Sequence, residues 1–240
     1  MGTVLDPQAV LQFDGPEEVG PRGTLVVLPG RGESPSVYTR FGTRLASDGY
    51  RVRVVGEDEH EVALAQFESP SAVLPRILVG IDIGALRALQ LVQDGKVEVE
   101  ALILVGLPAD NDTGIGNWDD EIEARVSCPT QQARLADPLL LDRGQLTADR
   151  IPVALRTVTV QSTLPTLALH GEDDAVSLFE YARRRYSEAP NLRLLVVQQG
   201  RHDVLNSRNH RTVAAAIVTF LESLKLGAGL PEVIRTEKLR

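Results

Sequence analysis

The sequence predicts an α/β protein built on a mostly parallel, doubly wound sheet. Three observations carry that prediction. Short apolar runs recur along the chain, amphipathic stretches separate them, and several runs end in glycine with polar residues just beyond. Strands covered on both faces read as continuous Val, Leu and Ile runs rather than as alternating ones. Gly23 to Pro29 (GTLVVLP) fits a buried strand closed by Pro-Gly, and Tyr38 to Ser47 follows with Phe41, Leu45 and Ala46 at helical spacing. Arg51 to Val55, Arg76 to Ile81 and Glu100 to Gly106 read as further strands, with an apolar helix over Gly84 to Val92. Leu164 to His170 and Leu192 to Val197 complete the strand set. Asn209 to Leu224 forms a closing helix with Val213, Ile217 and Phe220 on one face.

One connection is too long for this rhythm. Such links usually span about 2–6 residues, and longer ones tend to be lids or binding loops. Residues 108–163 are therefore expected to form a small helical cap inserted in a single domain spanning 1–240. Within it, Trp118 to Val126 reads as a helix with acids in its first turn, ended by Cys128-Pro129, and Arg134 to Leu141 as a second short helix. Residues 227–240 are expected to be a loosely held tail.

Composition narrows the function. Acidic residues number 33 against 25 basic ones, a net charge of -8 that argues against a nucleic-acid partner. The single cysteine excludes an intrachain disulfide framework and a multi-cysteine zinc site. The run Asp119-Asp120-Glu121 shares its face with no histidine, so no metal site is expected. No stretch approaches the roughly 18 apolar residues of a membrane span, and the first ten residues lack a leader pattern. A cytoplasmic protein with a small-molecule substrate is the expectation.

Doubly wound sheets gather their sites at the carboxyl ends of strands. The polar residues there are Pro29-Gly30-Arg31-Gly32-Glu33, Gly80-Ile81-Asp82-Ile83-Gly84, Gly171-Glu172-Asp173-Asp174 and Gly200-Arg201-His202-Asp203. These stretches resemble the α/β-hydrolase superfamily, in particular its lysophospholipase or monoacylglycerol-lipase-like branch. Leu28 to Val55 is similar to that branch's HGxGE segment and following helix, HGEDDAVS to its acid loop, and GRHDVLN to its histidine loop. The order of elbow, acid and histidine is also the family's. Two positions depart from it. Pro29 replaces the usual His, and the G-x-S-x-G elbow here carries Asp82 in place of serine.

An aspartate is ionised at neutral pH without help, whereas serine must first lose its proton to histidine. Attack on an ester carbonyl would give an acid anhydride; attack on a carbon bearing halide or epoxide oxygen gives an ordinary ester. The resemblance implies Asp82 as nucleophile, His202 as base and Asp174 as its orienting acid. It implies an anion hole from the backbone N–H groups of Arg31 and Ile83, with no cofactor. Gly30, Gly32 and Trp118 are the pocket candidates. Arg31 reads either as a ligand for an anionic substrate or as a solvated loop arginine. His170 reads as buried and hydrogen-bonded, His60 and His210 as solvated, and Cys128 as an inert thiol. Asp173 and Asp110 compete with Asp174 for the acid.

Three functions follow. The first is a cofactor-independent hydrolase of a small ester, lactone, epoxide or halide. The second is a lyase, cyclase or isomerase in which Asp82 and His202 move protons. The third is a non-catalytic binding module. Aspartate-elbow hydrolases generally hold the leaving group with Trp or Tyr. Between Glu68 and Leu178 this chain has Trp118 alone.

Overall fold

The structure is a computed structural model that describes residues 10–109, 115, 117–146, 151–187, 189–227, 229–235 and 237. Seven strands form one sheet: β1 (Val10–Phe13), β2 (Thr24–Leu28), β3 (Arg51–Val55), β4 (Arg76–Ile81), β5 (Ala101–Val105), β6 (Thr166–Gly171) and β7 (Leu192–Val197). Their order across the sheet is β1-β3-β2-β4-β5-β6-β7, parallel throughout except for the antiparallel pairing of β1 with β3.

Alternation along each central strand divides the core in two. Leu25 and Val27 of β2 face the layer formed by α1 (Thr39–Ser47) and α8 (His210–Leu224), where Phe41, Leu45, Ile217 and Phe220 are buried. Val26 and Leu28 face the opposite layer of α2 (His60–Glu68), α3 (Ile83–Gln93) and α7 (Phe179–Tyr186), with Leu86, Leu89, Ala182 and Tyr186. A sheet with apolar residues on both faces needs helices on both, and the chain supplies them in alternation.

Among the described residues, three α-helices lie between β5 and β6: α4 (Trp118–Arg125), α5 (Pro129–Leu135) and α6 (Val153–Arg156). The first matches the expected helix, with Asn117 capping the Asp120 amide. The second corrects the expectation over 134–141. Cys128-Pro129 opens a helix rather than merely ending one, because proline fits a first helical position, where its missing N–H is no loss. Leu141 instead forms an isolated bridge with Glu33, tying this segment to the loop after β2.

Four elements escape the sequence reading, the short α6 among them. In β1, Gln12 is exposed between flanking residues that are only partly buried, so the strand is recognisable chiefly by its partner β3. The helix α2 starts beside the acidic run Glu57-Asp58-Glu59, α7 carries Glu180 and Arg183 to Arg185, and both bury few apolar residues. The expected loose tail is in part anchored: Leu230 is buried, and its carbonyl accepts a hydrogen bond from Arg193 at 2.8 Å. Among the described residues, no helix is long and apolar enough to cross a membrane.

Candidate active site

The elbow between β4 and α3 forces Asp82 into a strained backbone conformation, φ 50° and ψ -119°. Such a conformation costs a non-glycine residue free energy and persists only where its surroundings hold it. Here the flanking glycines hold it. A Cβ on Gly80 would lie 2.3 Å from the Gly84 carbonyl oxygen, and one on Gly84 would lie 2.3 Å from the Leu28 carbonyl oxygen. The helix therefore starts pressed against the sheet, with Asp82 raised at the strand's carboxyl end.

Asp82, His202 and Asp174 lie in hydrogen-bond sequence at that rim. His202 Nε2 is 3.1 Å from Asp82 Oδ1, and His202 Nδ1 is 2.8 Å from Asp174 Oδ2. All three side chains are buried. Asp174 is itself fixed by the amides of Val176 and Ser177, which donate to its Oδ1 at 2.9 and 3.0 Å. Of the acid candidates, Asp174 faces His202; the amide of Asp173 bonds the Gly200 carbonyl. Asp110 lies outside the described residues.

Arg31 is not a solvated loop residue. It is 2% exposed, and its guanidinium clasps Asp82, Nε to Oδ2 at 2.7 Å and Nη2 to Oδ1 at 2.8 Å. Its backbone N–H also donates to Oδ2, at 3.0 Å. The atom expected to line an anion hole thus already holds one oxygen of the carboxylate. Ile83, the other expected donor, is the first residue of α3, where an amide has no carbonyl partner one turn back.

The electrostatics follow from burial and this chain of opposite charges. Burial opposes ionisation of Asp82, yet the charge of Arg31 and the hydrogen bond and charge of His202 hold it well below the usual carboxylate value. Burial would depress His202, but the carboxylates of Asp174 and Asp82 outweigh it and raise the ring to about 10. The two carboxylates thus favour the imidazolium form of the ring. His170 lies beside Asp174 with Nε2 2.7 Å from the Ser177 carbonyl, and burial pushes its pKa down against the charge of Asp174.

A further layer, unforeseen from sequence, supports the loop of Arg31. Arg125 of α4 bonds Glu33 at 3.0 Å, Glu121 at 2.8 Å and the Arg31 carbonyl at 2.9 Å. Tyr38 donates to Glu33, and the Gly30 amide also reaches it, at 3.1 Å. The Gly32 amide donates to Glu57 at 2.6 Å. Glu33 sits in the motif-like PGRGE stretch, and the Glu121–Arg125 spacing of four places both on one helix face; these were the available signals.

The remaining candidates sit elsewhere. Arg143 Cζ lies over the Trp118 ring, 4.6 Å from the ring centroid, and Trp118 borders a cleft of about 290 Å³ with Glu121, Gly144 and Leu146. That cleft meets the outer end of the Arg125 network. A larger one, about 620 Å³, lies between α4 and the loop of Arg201, lined by Glu123, Asp173 and Arg208. Cys128 does have a cationic neighbour, Arg40 Nη1 at 3.9 Å. His60 is exposed, whereas His210 is half-buried and bonds the Ser207 carbonyl.

Sheet order, strained elbow and rim together define the α/β-hydrolase fold. Solved structures bear this out over nearly the whole chain. A monoglyceride lipase from Saccharomyces cerevisiae, solved as a soluble variant with a substrate analog, superposes with a TM-score of 0.69 at 14% identity, covering 89% of this chain and 90% of that one. An esterase from Exiguobacterium antarcticum gives 0.63 at 20% identity, with 89% and 95% covered. A monoacylglycerol lipase from Paleococcus ferrophilus gives 0.64 at 16%, with 88% and 97% covered. No known family profile and no curated protein matches the sequence.

Proposed function

We propose that the protein is a cofactor-independent hydrolase of a small organic substrate, with Asp82 as nucleophile and His202, oriented by Asp174, as proton carrier. The single observation carrying this reading is the buried sequence Asp174–His202–Asp82 placed on a strained elbow. A lone structural aspartate gains nothing from positive φ that glycine would not gain more cheaply.

The resting charges favour ring opening of an epoxide over the other classes. Asp82 Oδ2 accepts from both the backbone N–H and Nε of Arg31, whereas Oδ1 faces Arg31 Nη2 and His202; Oδ1 is taken as the attacking oxygen, and its attack requires Nη2 to move aside. As its lone pair forms the C–O bond, the ring C–O bond breaks and the alkoxide takes the proton of the His202 imidazolium. The covalent ester then lacks the Asp82 charge that helped to hold that proton, so His202 becomes a base. It removes a proton from water, hydroxide attacks the Asp82 carboxyl carbon, and the diol leaves with Asp82 regenerated. A halide substrate would require His202 to shed its proton to solvent first.

The test is the intact mass of His202→Gln after incubation with epoxides, halides and esters. An adduct on Asp82, with turnover in the native protein and none in Asp82→Asn, is the expected result. Turnover without an adduct favours the lyase or isomerase reading. The non-catalytic reading has one observation of its own: cations cover both oxygens of Asp82. A folded native protein inert toward every class would decide for it.

A further inference from the structure

Asp174 belongs to no strand or helix; it lies in the loop between β6 and α7. The amides of Val176 and Ser177 fix its Oδ1, but they belong to the same loop and do not hold it to the sheet. On the near side the Asp173 amide reaches the Gly200 carbonyl, at 2.9 Å. On the far side the tether is His170, a residue of β6 that is paired with Val196 and buried. Its Nε2 lies 2.7 Å from the Ser177 carbonyl and 3.3 Å from Asp174 Oδ2, the oxygen that faces His202 Nδ1. A carbonyl only accepts, so Nε2 of His170 carries a proton. Its Nδ1 is buried with no hydrogen-bond partner among the described residues, so a second proton there would be left unpaired. Burial, aided by the charge of His202, pushes the pKa of this ring down against the charge of Asp174. These surroundings disfavour an imidazolium at His170 and leave it a single donor.

We propose that His170 is a positioning residue: its Nε2–H pins the loop of Asp174 to β6 and so sets the contact between Asp174 and His202. Asp82, with Arg31 behind it, faces His202 from the elbow, and Tyr186 of α7 lies close enough to Asp174 to feel its charge. The ring of Phe179 in α7, 6.2 Å from that of His170 between centroids, has no donor to replace it. Loss of the His170 donor frees the Ser177 carbonyl, and with it the residue whose amide holds Asp174 Oδ1. The loosened carboxylate then holds the His202 proton less tightly. The inference rests on the proposed site in that Asp174 is the partner of His202, but it requires no turnover.

Heteronuclear NMR of the histidine rings tests this in the native protein and in variants. The native His170 should be the tautomer with its proton on Nε2; a proton on Nδ1 alone overturns the inference without need of any variant. In His170→Phe the His202 ring, assigned by its absence from His202→Gln, should titrate at least about one pH unit lower than in the native protein. His170→Gln, whose amide N–H reaches the same carbonyl, should restore most of that shift. His170→Asn, whose shorter amide falls short of the carbonyl, reads the same lowering where the phenylalanine variant does not fold. A variant that is less stable to urea but whose His202 titrates as in the native protein overturns the inference, because a merely structural residue behaves so. Turnover of an epoxide with that unchanged titration leaves the hydrolase reading intact. A lowered titration in a protein whose native form is inert toward every substrate upholds the inference and removes the hydrolase reading.

Discussion

The guanidinium of Arg31 holds both carboxylate oxygens of Asp82, at 2.7 and 2.8 Å, across 51 residues of sequence. Neither partner reaches solvent to any useful extent, so each is the other's main compensation for burial. Asp82 is thus shared between Arg31 on one side and the His202 ring on the other, and Asp174 holds the far side of that ring.

Removing one charge of that pair should be far worse than its modest size suggests. Asp82→Asn leaves Arg31 and His202 without their shared anion, and a loss of roughly 3–5 kcal/mol is expected. Urea unfolding of the variant beside the native protein measures it. An effect under about 1 kcal/mol would place the pair among ordinary surface bridges.

Stability should fall as the solution becomes alkaline. His202 is raised from 6.5 to about 10, so the folded state holds a proton that the unfolded chain releases between those values. The stabilisation is complete below pH 6.5 and is lost as pH rises through 10. Unfolding midpoints measured from pH 6 to 10 should decline, and His202→Gln should flatten that decline. Asp82 acts in the opposite sense: its lowered pKa stabilises above about pH 4 and is lost in strong acid.

The supporting layer should matter for both fold and site. Glu33→Gln weakens the ion pair with Arg125 and the contact with Tyr38, on the loop that carries Arg31. A loss of about 1–3 kcal/mol is expected, together with weaker positioning of Arg31. Urea unfolding and the turnover of the folded variant check the two effects separately.

Gly84→Ala tests the elbow itself. The new methyl would stand 2.3 Å from the Leu28 carbonyl oxygen, and backbone cannot yield as a side chain does. A destabilisation of about 1–3 kcal/mol or more is expected. Gly95→Ala meets nothing within 4 Å, so it should cost only the strain of φ +65°. The difference between the two unfolding free energies isolates the close approach.

Much of the site was legible because strand ends are punctuated locally. Glycine after an apolar run marks a carboxyl end whatever the rest of the chain does, which is why Asp82, Asp174 and His202 could be named before their contacts were known. The same reasoning found the central strands and missed β1, whose partly buried residues make sense only beside β3. It misplaced the helix at Pro129 because a proline reads equally as an ending and as a first turn.

By itself, then, the sequence determined the alternation of strand and helix, the tight glycine elbow and the acidic residue at its apex, because each is a matter of neighbours in the chain. Only the tertiary structure decided what that acid does with its charge. The parallel register that sets Leu28 beside Gly80 brings the residue three beyond one strand end against the residue one beyond the other, and so buries Arg31 on Asp82. A loop arginine becomes the cation of a closed site through strand order, a property that no local pattern contains.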